Sequence, residues 1–113
     1  MSPEEAVRKF YDCYTNGRPE DFDECVAPDY ADYGHTPPGI GPAGAHDYEH
    51  AIKEVGGNIS YVIDALVTDG DTVAAVWTGT LPSNATYRGL SLYNAAGGLL
   101  RWTRHTLIGD RPR

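Results

Sequence analysis

His46 and His50 stand four positions apart in the run His46-Asp47-Tyr48-Glu49-His50. On a helix that spacing projects two imidazoles from one face about a turn apart, the geometry that two zinc ligands need. The run also fits the H-x-x-E-H pattern of inverted zinc proteases. A catalytic zinc takes a further protein ligand, however, and the sequence offers no later helix to supply one. The bland assignment is a solvated face of Asp47, Glu49, His50, Lys53 and Glu54, with Tyr48, Ile52 and Val55 turned inward. Five-residue patterns recur by chance, so the expectation is that this stretch holds no metal.

The chain that must position any such chemistry has 113 residues. That length supports one domain, 1–113, with a real core and room for one small-ligand cavity, but no two-domain protease cleft. The formal net charge is −7 and the nine basic residues are scattered, which argues against nucleic acid or an anionic membrane as partner. Cys13 and Cys25 are too far apart for a C-x-x-C site and too few for a disulfide scaffold, so reduced thiols in a cytosol fit best. There is no 18-residue apolar run and no basic-then-apolar leader. The expectation is a soluble, cytoplasmic protein.

Ser2-Pro3-Glu4-Glu5 reads as a helix start: Ser2 can cap, Pro3 suits the first helical position, and Glu5 falls where a capping box wants it. Val7, Phe10 and Tyr14 follow at helical spacing, and Asn16-Gly17 stops the run. A second short helix is expected from Pro19, carrying Phe22 and Val26 and ending before Pro28. Tyr30 to His35 reads as a short extended piece, closed by the proline- and glycine-rich 36–42. A third helix is expected over 43–55, ended by Gly56-Gly57. From Ile59 the period becomes two, giving strands over 59–67, from Val73, over 86–93 and over 99–108, with turns at Asp69-Gly70-Asp71, 81–84 and 94–98. Three helical segments followed by a four-strand meander predict an α+β fold.

In this order of elements the chain resembles the SnoaL-like branch of the nuclear transport factor two-like superfamily, which also holds ketosteroid isomerases and limonene-epoxide hydrolases. The resemblance runs from Glu5 to about Ile108. It is carried by YADYGHTPPGIGPAGAHDY, by the Gly-Asp hairpin in LVTDGDTVAAVWTGT, and by the closing hairpin RGLSLYNAAGGLLRWTRH. It implies a cone-shaped, barrel-like fold in which a curved antiparallel sheet and the helices enclose a deep apolar pocket. It further implies pairing into homodimers through the outer surface of the sheet, and acid–base chemistry on small hydrophobic carbonyl compounds or epoxides without metal or cofactor.

In polyketide cyclases of this branch a catalytic aspartate lies seven residues after the glycine of the closing hairpin; counted from Gly98, that position is His105. Ketosteroid isomerases carry their general-base carboxylate just after the second helix, before a proline, which is about where His35 falls. The resemblance thus offers His105 as base and His35 as acid or orienting group, since one group must remove a proton and another must serve the developing oxyanion. On nominal strand parity His105 shares a face with Arg101 and Thr103. Tyr14 and Trp77 are candidate pocket walls and substrate-binding residues, against the ordinary alternative that large aromatics only pack. Asp64 is a third substrate-binding candidate; it either faces water or partners a histidine, because burial without a partner would be costly. The leading expectation is a cofactor-independent cyclase or isomerase of a hydrophobic, polyketide-like substrate. A non-catalytic ligand-binding or accessory protein is the alternative. An epoxide hydrolase ranks last, because Asp64, Arg88 and Asp71 do not reproduce its aspartate–arginine–aspartate spacing.

Overall fold

A computed structural model describes residues 1–33, 39–40 and 53–109. The expected third helix therefore lies mostly outside the described residues, with only 53–55 seen as helical. The zinc-like run 46–50 lies wholly outside them.

Helix α1 spans Pro3–Thr15. Its start is the one the sequence expects: the Ser2 side chain accepts from the Glu5 backbone N–H while the Glu5 carboxylate accepts from the Ser2 N–H, so two orphan donors are satisfied reciprocally. It ends at Asn16, and Gly17 follows at φ 63°, a left-handed conformation that costs glycine little. Ala6, Val7, Phe10, Tyr11 and Cys13 form its buried stripe.

A 3-10 helix over Pro19–Glu24 follows, shorter than expected, because Val26 belongs to the first strand. Strand β1 runs Val26–Asp32, starting earlier and ending earlier than the extended piece read from Tyr30 to His35. The cause is backbone pairing with a distant strand: Leu100 donates to the Cys25 carbonyl at 2.7 Å, and Val26 stands opposite Leu100. Pro28, which has no N–H to give, falls where that pairing loses register between Val26 and Ala31.

The remaining strands are β2 (Gly39–Ile40), β3 (Ser60–Asp69), β4 (Thr72–Thr80), β5 (Thr86–Asn94) and β6 (Leu100–Ile108). They form one sheet in the order β2-β1-β6-β5-β4-β3. The last four are the expected antiparallel meander. The sheet as a whole is mixed, since β1 runs parallel to β6. Gly70, at φ 59°, makes the tight β3–β4 turn. Alternation is clean along β4, where Val73, Ala75, Trp77 and Gly79 face inward, and α1 lies across that face. The core between them is largely aromatic: Phe10 meets Tyr11, Tyr14, Phe22 and Tyr93 edge-on at 5.3–6.0 Å, a geometry that aromatic quadrupoles favour. Among the described residues no helix is long and apolar enough to cross a membrane.

Candidate active site

A cavity of about 200 Å³ opens between α1 and the inner face of the sheet. Its aromatic wall exists because two strand positions are glycine. Trp77 faces Gly89 across the β4–β5 ladder, and a Cβ on Gly89 would stand 2.1 Å from Trp77 Cζ2. The indole can lie over β5 only because that atom is missing. Gly79 does the same for two tyrosines: its Cβ would come within 2.8 Å of Tyr87 and 3.3 Å of Tyr61. Their rings converge over β4 with hydroxyls 3.2 Å apart.

Polar groups enter this apolar space in two sets. The first comes from β1 and β6. Asp32 pairs with Thr103 across the parallel ladder, which sets its carboxylate beside the side chain two residues further on. Asp32 Oδ1 lies 3.7 Å from His105 Nδ1, and both residues line the cavity. Asp32 is 8% exposed. A carboxylate beside one ring nitrogen orients an imidazole, and a histidine held in this way can work as a base. Thr103, which donates to the Leu92 carbonyl at 3.2 Å, faces the same way, so the nominal parity placing Thr103 and His105 on one face holds. Arg101 is turned elsewhere, donating to the Ala96 carbonyl and standing 3.5 Å from Asp29.

The second set comes from α1, β4 and β5. Trp77 Nε1 donates to Ser91 Oγ at 2.8 Å, and the Tyr93 hydroxyl donates to the Tyr11 hydroxyl at 2.8 Å. Burial pushes the Tyr61 and Tyr93 phenols well up. Burial also raises Tyr11, but hydrogen bonds from Tyr93 and Ser91 work against it and it reaches about 12. All three stay protonated near neutral pH.

Of the residues singled out from sequence, His105, Tyr14 and Trp77 line this cavity. Asp64 does not. It sits at a bulge between Ile63 and Ala65, accepts from Thr78 Oγ1 at 2.6 Å and lies 3.8 Å from Arg88. Thr78 and Arg88 are opposite one another on the outward parity of β4 and β5. An aspartate–arginine pair thus forms, but on the outer face of the sheet, away from the cavity. His35 lies outside the described residues. Sequence reasoning missed Asp32, Tyr11, Ser91 and Tyr93. A signal for Asp32 was present: in Tyr30-Ala31-Asp32 it shares strand parity with an inward tyrosine. Among the described residues no three His, Cys, Asp or Glu side chains come together as metal ligands would.

A family model described as a SnoaL-like domain matches residues 7–105. Among curated proteins none matches the sequence. Several solved structures share the fold. A protein from Kribbella flavida, provisionally named a ketosteroid isomerase, superposes with a TM-score of 0.78 at 20% identity, covering 96% of this chain and 79% of that one. One from Acidithiobacillus ferrooxidans, provisionally named a polyketide cyclase, gives 0.78 at 20% identity over 95% and 88% of the two chains. TsrD from Streptomyces laurentii gives 0.76 at 18% identity over 92% and 86%. At these identities the likeness is one of fold.

Proposed function

We propose, from the premise that this chain belongs to the SnoaL-like domain family, that it is a cofactor-independent cyclase or isomerase of a hydrophobic, polyketide-like carbonyl compound. His105 takes a proton from the carbon beside the carbonyl. The C–H electron pair becomes the enolate double bond and charge collects on the carbonyl oxygen; the proton is then returned at another carbon, or the enolate carbon closes a ring by bonding to a second carbonyl carbon of the substrate, whose C=O π pair moves to oxygen and takes the proton back from His105. The observation that carries this reading is the Asp32–His105 contact at 3.7 Å in the wall of an aromatic cavity. Tyr14 and Trp77 hold the substrate by their faces, and His35 is assigned as acid or orienting group. The provisional names of the structural relatives, a ketosteroid isomerase and a polyketide cyclase, belong to the same class of chemistry.

The test is exchange of the α-protons of 2-tetralone in D2O, followed by NMR. The wild type is expected to catalyse exchange and His105→Ala to lose about 100-fold or more, the usual worth of a positioned general base. Equal rates in both would defeat the assignment of His105. Binding of the ketone with no exchange and no conversion would support a ligand carrier instead.

The proposal includes pairing of two copies through the outer face of the sheet. Its support is the exposure there of Val62, Val67, Leu90 and Leu92, more apolar surface than isolated exposed residues would give. Sedimentation at micromolar concentration should show a dimer; a monomer throughout sinks this part.

A further inference from the structure

Tyr61 and Tyr87 line the cavity on either side of Trp77, each edge-on to the indole at 5.3 Å. Their hydroxyls stand 3.2 Å apart. A hydrogen bond between two phenols uses one proton and leaves the other O–H to be given, with lone pairs on both oxygens. Among the described residues no further hydrogen bond takes up that proton. Two phenylalanines would fill the space over Gly79 equally well and bring no hydroxyl out of water. Packing alone does not call for the oxygens.

The pair lies at the far end of the cavity from Tyr93. Tyr93, Ser91, Gly89 and Tyr87 follow one another on the inward parity of β5, and Ser91 stands opposite His105. Tyr87 is thus four residues, about 13 Å, beyond the level of His105. Its ring reaches over Gly79 on β4, two strand spacings or about 10 Å from β6. Together these steps set the hydroxyls on the order of 16 Å from the His105 backbone. The imidazole and a contact of about 3 Å at each end occupy much of that gap, and a skeleton of two fused rings bridges the remainder. The volume agrees, since about 200 Å³ is somewhat more than the roughly 150 Å³ of an apolar cavity that admits benzene. Tyr93 is 3% exposed whereas Leu107, opposite Gly89, is 44% exposed, so the tyrosine pair stands at the more open end.

Charge narrows the class of ligand. Among the described residues no Lys or Arg lines the cavity, and Asp32 already brings a carboxylate to it. A second carboxylate, on the ligand, would lose its water without a cation to meet it. A hydroxyl can both accept from the pair and donate to it.

We infer that Tyr61 and Tyr87 form the subsite for a hydroxyl at the far end of a two-ring ketone, away from the carbon that His105 deprotonates. This rests on the reading of the cavity as a ketone site and adds the ligand's length and its second polar group. Both tyrosines act in binding alone; no bond of the ligand changes at this end.

The experiment compares 2-tetralone with 6-hydroxy-2-tetralone, which carries a hydroxyl at the far end of the same skeleton, by calorimetry on the full chain, with α-proton exchange followed in parallel. The wild type should bind the hydroxylated ketone about fivefold more tightly, the worth of one net hydrogen bond. Tyr61→Phe and Tyr87→Phe combined in one chain should erase that advantage and change 2-tetralone by less than about twofold, while each single variant should reduce the advantage to about twofold. Equal affinities in the wild type, an advantage that survives in the double variant, or equal losses of both ketones in a folded double variant overturn the inference and leave the ketone site standing. Should the double variant fail to fold, the single variants decide by the same selectivity. A hydroxyl-selective loss in a protein that exchanges no α-protons keeps the subsite and removes the catalytic reading. If the wild type binds neither ketone, both fall.

Discussion

Two carboxylates stand beside a basic side chain at nearly the same distance on opposite faces of one sheet. Asp32 lies 3.7 Å from His105 on the inner face, and Asp64 lies 3.8 Å from Arg88 on the outer. Their surroundings differ. The two side chains of the inner pair are 11% (Asp32) and 35% (His105) exposed, whereas those of Asp64 and Arg88 are 34% and 56% exposed, so the contrast lies in the carboxylates. Water and salt screen the outer pair, so its attraction is largely replaced by solvent when broken. In the inner pair it is the carboxylate that is shielded, in the wall of an aromatic cavity, so water replaces it less readily there. A short distance between charges therefore says little by itself; the site is made by what encloses the pair.

Trp77 lines the same cavity, and its removal should have the largest effect. Trp77→Ala empties the inner face and is expected to cost about 3–5 kcal/mol of stability in denaturant melts, against about 1 kcal/mol for outward-facing Val76→Ala. Next comes the pair itself. Asp32→Asn keeps the shape but loses the charge and should slow α-proton exchange about 100-fold, while Asp64→Asn changes it by less than about twofold. Ser91→Ala removes the acceptor of the Trp77 indole and should cost about 1–2 kcal/mol, read from the same melts. The smallest effect is expected outside: Asp64→Ala or Arg88→Ala should cost less than about 1 kcal/mol, and the difference should fade in molar salt. A loss of several kcal/mol there would erase the contrast between the faces.

Much of this was legible locally. The Ser2–Glu5 cap, the glycine after α1, the hairpins of β3 to β6 and the shared parity of Thr103 and His105 follow from spacings of a few residues. What was not legible depends on distant partners. Val26 passes for an apolar helix residue until Leu100 draws it into a strand. Tyr11 passes for packing until Tyr93, 82 positions away, donates to its oxygen. Asp64 and Asp32 both sit in alternating segments, and alternation does not say which face is enclosed. For Asp64 the bulge at 63–65 and the partners Thr78 and Arg88 decide it.

The parallel pairing of β1 with β6 has a consequence for how the cavity is completed during folding. The hairpins from β3 to β6 close over short turns and need only neighbouring chain. The contacts of Val26 with Leu100 and of Asp32 with Thr103 close a loop around the whole meander, the arrangement with the greatest entropy to overcome and the slowest to form. A chain that has made its hairpins already carries the indole, the serine and the imidazole, yet its carboxylate is still on an undocked strand. Recovery of the proposed α-proton exchange after unfolding is thus expected to follow the final docking of β1 and to lag the return of sheet structure.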